Sequence, residues 1–81
     1  MGNYILFGSG SKIVILDVRD QGFEVAETLY GHRDEIIIIK TDLVMDIILS
    51  VDRSGYVLIH ELTDLRFLRA FQIGTNFSRG S

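Results

Sequence analysis

Few side chains in this sequence could do chemistry: His32 and His60, Ser50, Asp52, a glycine-serine run ending in Lys12, and the arginines Arg53, Arg66 and Arg69. Serine, histidine and a carboxylate are the parts of a nucleophilic triad, in which imidazole takes the hydroxyl proton and the carboxylate orients the imidazole. His32, Ser50 and Asp52 supply those three types, but Ser50 lies in Leu49-Ser50-Val51, without a Gly-x-Ser-x-Gly elbow or an evident oxyanion hole. The preferred reading is that His32 and Ser50 join neighbouring strands, and no catalytic residue is expected. His32 and His60 stand 28 residues apart in a chain without cysteine, far from the close ligand spacing of zinc sites. No metal is expected, and His60 is read as part-buried, with one ring nitrogen bonded to a strand. Gly8-Ser9-Gly10-Ser11-Lys12 lacks the Gly-x-x-x-x-Gly-Lys-Ser/Thr spacing of a phosphate cradle, so its glycines are read as a tight turn needing positive φ. No cofactor is expected. Arg53, Arg66 and Arg69 are read as a solvated edge.

Something must position these groups, and the chain has little length for it. Eighty-one residues make at most one small domain, and such a chain buries only about 60% of its unfolded surface. Yet 47% of the residues are hydrophobic and the mean hydropathy is +0.27. With no cysteine, disulfide staples are excluded, which fits a reducing compartment. A net charge of −3 offers little to nucleic acid or to an anionic membrane, so neither is expected as a partner. No apolar run approaches the roughly 18 residues of a membrane span, and the first residues lack a basic region before an apolar core. A cytoplasmic setting is the expectation, in which the Asn76-Phe77-Ser78 sequon stays silent.

Short apolar runs rich in β-branched and aromatic residues, punctuated by glycine, predict strands at 4–7, 12–18, 23–30, 35–41, 46–51, 56–62 and 67–73. In the third run Phe23, Val25, Thr28 and Tyr30 are taken as the packed side, with Glu24 and Glu27 facing water. Four isoleucines at 36–39 predict a strand covered on both faces. The predicted class is all-β and antiparallel.

The runs repeat. Ile5-Leu6 recurs as Ile48-Leu49 at a shift of 43, and the six residues from Ile13 recur from Val57 at 44. Leu29-Tyr30-Gly31 recurs as Gln72-Ile73-Gly74 at 43. A four-strand unit of about 40–45 residues is the period of WD40 propeller blades. The Gly31-His32 turn before a strand, then Ser50, Gly55 and Val57, resembles the WD40 pattern of Gly-His followed by Ser-Gly-Ser-x-Asp-Gly-x-Val-x-x-Trp-Asp. His60 stands where that family has Trp, Glu61 where it has Asp, and Ser54 where it has the turn Asp, with Asp52 two residues away. The resemblance implies structural roles for Gly31, His32, Ser50, Gly55 and His60, in a hydrogen-bonded network that is only partial here. Leu58-Ile59-His60 in place of Leu-Trp-Asp, followed by Leu68-Arg69-Ala70-Phe71, looks like the C-terminal propeller of BEACH-domain proteins, which are scaffolds in membrane traffic.

The resulting expectation is about one and a half WD40-like blades: a partial blade over 1–31 with its last three strands, a complete blade over 32–74, and a polar tail at 75–81. Its function would be non-catalytic protein–protein interaction within a propeller, with other blades or copies of itself as partners and homo-oligomerisation of the isolated chain. The alternative is a self-contained small β-barrel or sandwich that homo-oligomerises and binds a small ligand in its mouth.

Overall fold

The computed structural model describes residues 3–19 and 22–73. Asp20-Gln21 and residues 74–81, with Gly74 and the sequon, lie outside them. Every regular element among the described residues is a strand: β1 (Asn3–Ser9), β2 (Lys12–Arg19), β3 (Gly22–Leu29), β4 (Ile36–Asp42), β5 (Ile47–Asp52), β6 (Tyr56–Glu61) and β7 (Phe67–Gln72). All pairs are antiparallel between sequence neighbours, which gives a three-stranded sheet β1-β2-β3 and a four-stranded sheet β4-β5-β6-β7. The chain is all-β, as its composition predicts, and no helix among the described residues is long and apolar enough to cross a membrane.

Tight turns place the strand ends. The β1–β2 turn needs only Gly10 and Ser11, with Gly10 at φ 62°. The β5–β6 turn is one residue longer and ends on Gly55 at φ 87°, which accounts for the repeat's change of shift from 43 to 44. Both sheets then slip register at equivalent points, between Ile15 and Leu16 and between Ile59 and His60, with Ala26 and Leu68 as the extra residues. The shared bulge makes the repeat a property of the backbone as well as of the residues. It also moves the third strand: Ile13 pairs with Leu29 and Val57 with Phe71, so β3 and β7 correspond at a shift of 42, one less than side-chain similarity gives.

Pairing decides the faces, because directly opposed residues point to the same side. Leu6, Ile13, Ile15 and Leu29 share one face of the first sheet and pack against Ile36, Ile39 and Leu65 of the second unit. Ile13 and Ile15 are almost fully buried there. The approach is close, since a Cβ on Gly8 would lie 3.2 Å from that of Ile36, and the Ile36 N–H donates to the Gly10 carbonyl at 2.9 Å. Leu65 holds a left-handed φ of 60°, costly for a side chain with a Cβ, while its own side chain packs on this core.

The opposite faces are also apolar. Ile5, Phe7, Val14, Leu16, Val18, Phe23 and Val25 share the outward side of the first sheet. Phe23 and Val25 are 66% and 59% exposed, so they look outward instead of packing as expected, while Glu24 and Glu27, on the side of Ile15 and Asp17, are exposed as expected. Ile38, Leu49, Val51, Val57, Ile59 and Phe71 share the outward side of the second sheet with Lys40 and Arg69, and Val51 and Val57 are nonetheless buried there. In β4 the isoleucine run is covered on one side only: Ile36 and Ile39 contact the core, whereas Ile37 and Ile38 remain exposed. At the β4–β5 turn Leu43, Val44 and Met45 project into solvent, and the Asp42 carboxylate accepts the Val44 and Met45 N–H groups.

Truncation of Ile15 to Ala should therefore cost about 2–4 kcal/mol, because a well-packed side chain leaves a cavity. Val44→Ala at the turn tip should stay within about 0.5 kcal/mol. Chemical denaturation of the full chain at one protein concentration checks both, and equal costs would contradict this account of the core.

Candidate functional site: a buried serine–histidine–aspartate cluster

Three of the chemically capable residues meet at one end of the second sheet. β5 carries Ser50 and Asp52 on the face turned to the first sheet, and the β3–β4 loop brings His32 onto that face. Gly31 makes this approach possible. Its φ is 132°, and a Cβ there would stand 3.0 Å from Leu58 Cδ1. The glycine thus answers two demands at once, an unusual backbone and lack of space.

His32 Nδ1 donates to Asp52 Oδ2 at 3.0 Å. His32 Nε2 and the Ser50 hydroxyl are hydrogen-bonded at 2.7 Å, and the same hydroxyl donates to the Leu58 carbonyl at 3.5 Å. Asp52 collects more. Its Oδ2 also accepts the Arg33 N–H at 3.0 Å, and its Oδ1 accepts the Ser54 N–H, the Ser54 hydroxyl and the Tyr56 N–H at 2.9, 2.6 and 3.2 Å. One carboxylate thereby joins the β3–β4 loop to the β5–β6 turn. Burial pushes the Asp52 carboxyl up, but the hydrogen bonds from Ser54, Arg33, Tyr56 and His32 outweigh it and hold it well below the usual carboxylate range. Tyr56 closes the outside, edge-on to the His32 ring at 6.3 Å and beneath the Arg33 guanidinium at 4.2 Å.

These contacts assign the turn carboxylate differently from the motif alignment. Ser54 occupies the aligned Asp position, yet it acts as a donor to Asp52, and Asp52 at the end of β5 receives His32. The partial network expected is three-membered. Position 60 stays outside it: His60 is 4% exposed, lies edge-on to Phe67 at 5.8 Å, and its Nδ1 has no hydrogen-bond partner. The strand contact expected from a His60 ring nitrogen is thus missing at Nδ1. Burial, then the charge of His32, lowers the pKa of His60. Gly55 serves the turn, with its N–H donating to the Asp52 carbonyl and its carbonyl accepting the Ile73 N–H.

A serine, histidine and aspartate in hydrogen-bonded series have the connectivity of a hydrolytic triad, but chemistry also needs an exposed nucleophile and room for a tetrahedral centre. Ser50 and Asp52 are 0% exposed and the His32 side chain 1%. The cleft between the sheets, lined by Tyr4, Leu6, Ile15, Ala26, Glu27, Leu62, Thr63 and Leu65, holds about 150 Å³ and contains none of the three. Ligand pockets usually offer about 300 Å³ or more. Among the described residues no group of three or more His, Cys, Asp or Glu could hold a metal. The arginines are dispersed: Arg53 at the β5–β6 turn reaches Glu35 at 3.4 Å, Arg66 in the β6–β7 loop reaches Glu61 at 3.6 Å, and Arg69 lies within β7.

Two pH-dependent terms follow. The folded Asp52 pKa lies below its unfolded value of about 3.9, so its stabilisation is complete above that value and is lost as pH falls through the folded pKa. Asp52→Asn should cost roughly 2–4 kcal/mol near neutrality and shrink the acid loss below about pH 4. His60 acts in a higher window: below its unfolded pKa of about 6.5 the unfolded chain takes up a proton that the folded chain resists. Stability should fall from pH 7 towards 5 by at most about 1.4 kcal/mol per pH unit from this residue. His60→Leu should flatten that slope. Thermal midpoints by circular dichroism across pH test both terms, and unchanged profiles in the variants would refute them. No family model, curated protein or solved structure matches the chain, so the account of this site rests on its geometry.

Proposed function

We propose that the chain is a non-catalytic interaction module: a three-stranded partial blade followed by a complete blade of a WD40-type propeller, of the kind found in BEACH-domain scaffolds, working through protein partners in the cytoplasm. The observation that carries this reading is the excess of apolar surface on the outward sheet faces. Ile5, Phe7, Phe23, Val25, Ile38 and Phe71 stand exposed on those faces, six of the fifteen exposed large hydrophobic side chains among the described residues. A monomeric soluble protein seldom leaves contiguous apolar faces open, and such faces mark association sites. The buried cluster supports the same reading from another side. It spends His32, Ser50 and Asp52 on tying a loop to a turn, which is the work the WD40 resemblance implies for such residues.

The self-contained sandwich is the competing reading, and the outward faces weigh against it. A sandwich packs two sheets through their inner faces and presents polar residues outside. Here the second side of each sheet is as apolar as the first, which suits a unit with a neighbour on both sides. The partners expected are further blades, copies of the chain, or proteins docking on the assembled faces, with no nucleic acid and no inserted membrane segment.

Two measurements test this. Light scattering at micromolar concentration should give a mass that is a multiple of the 9.2 kDa chain, and a stable monomer would overturn the association. A fluorophosphonate probe should leave Ser50 unlabelled, and covalent labelling there would overturn the non-catalytic assignment.

A further inference from the structure

The two outward faces differ in kind, and the internal repeat tells which fits which. Shifts of 43 and 44 carry Leu6, Ile13 and Ile15, on the covered face of the first sheet, onto Leu49, Val57 and Ile59 on the outward side of the second, where Val57 is buried and Leu49 and Ile59 are half-buried. The same shifts carry Ile5, Val14 and Leu16, on the open face of the first sheet, onto Ile48, Leu58 and His60 on the covered face of the second. The bulges at Ile15/Leu16 and Ile59/His60, 44 residues apart, make the correspondence one of backbone geometry. Each open face therefore repeats a face type that already has a partner inside the chain.

We propose that a second copy of the chain docks head to tail, seating the outward face of its first sheet (Ile5, Phe7, Phe23, Val25) on the outward face of the second sheet (Leu49, Ile59, Phe71). This rests on the association proposed above and adds its polarity. The contact continues the β1–β4 interface of the single chain, in which a first-sheet face and a second-sheet face meet with their repeat-related sides. A two-fold dimer would instead set like faces together, a pairing with no counterpart within the chain. Head-to-tail contact is heterologous, so every added copy leaves one face of each kind open until a ring closes. With two sheets per copy, three or four copies reach the six to eight blades common in closed propellers, which span about 4–8.

Polarity can be read by complementation. Val25→Lys disables the first-sheet face and Phe71→Lys the second-sheet face. Both positions are exposed, at 59% and 41%, so the isolated chain should tolerate the charge. Phe23→Lys and Ile38→Lys are the replacements if circular dichroism shows that either first-choice variant loses its strand signal. Wild-type chain should measure three copies or more by light scattering, and each variant alone should measure one. An equimolar mixture should give a dimer containing one copy of each variant by native mass spectrometry, because the one intact face of each complements the other. A mixture that stays monomeric, or a single variant that assembles like wild type, would overturn the polarity while leaving the association standing. A monomeric wild type would overturn both.

Discussion

One carboxylate carries the most constraint in this molecule. Asp52 ends β5 beneath the β5–β6 turn and accepts from two segments that are distant in sequence, His32 and Arg33 on one side, Ser54 and Tyr56 on the other. A buried charge is tolerable only when its lone pairs are filled, and five donors fill these. The consequence reaches beyond the turn. Fixing His32 fixes the entry of the chain into β4, and β4 carries the isoleucines that meet the first sheet. Ser50 then completes the arrangement, its hydroxyl bonded to the far ring nitrogen and donating to the Leu58 carbonyl. The first sheet has no such clamp: Phe7 and Ser9 stand where the second sheet has Ser50 and Asp52.

This asymmetry sits beside a shared weakness. Both sheets are apolar on both sides, and the outward sides leave Ile5, Phe7, Phe23, Val25, Ile38 and Phe71 exposed. Antiparallel sheets with one wet face normally alternate apolar with polar residues, and β2 and β5 do not. Such strands suit the interior of a stack. Among the described residues the first sheet has three strands, with β1 at one edge. Self-limiting association is the benign outcome for surfaces of this kind; open-ended pairing through the β1 edge or through Ile37 and Ile38 is the hazardous one.

Much of the fold was legible in the residues because strands leave local marks. β-branched runs bounded by glycine placed all seven strands to within two residues at each end, and the repeat anticipated two units. Properties set by backbone register were not legible. The bulge at Ala26 and Leu68 moves the third strand by one residue, and no side chain announces it. Phe23 and Val25 read as a packed side because alternation reveals that two faces differ, without saying which is covered. At the cluster, His32 and Ser50 were visible as a pair, but the choice between Ser54 and Asp52 depended on where β5 stops and the turn begins. The orphaned Nδ1 of His60 was invisible for the same reason: a hydrogen-bond partner is a matter of placement, and spacing cannot supply one.

The meander order has a kinetic consequence. Every strand pairs with its neighbour in sequence, so the entropy of loop closure is met one short hairpin at a time, and contact order stays low for an all-β chain. The meeting of the sheets and the contact between His32 and Asp52, 20 residues apart, join segments that do not belong to one hairpin. Individual hairpins can therefore form early with their apolar sides bare, and the second sheet gains its clamp only when the preceding loop arrives. Between those events the chain exposes even more greasy surface than it does when folded, which sets a premium on synthesis alongside whatever will cover it.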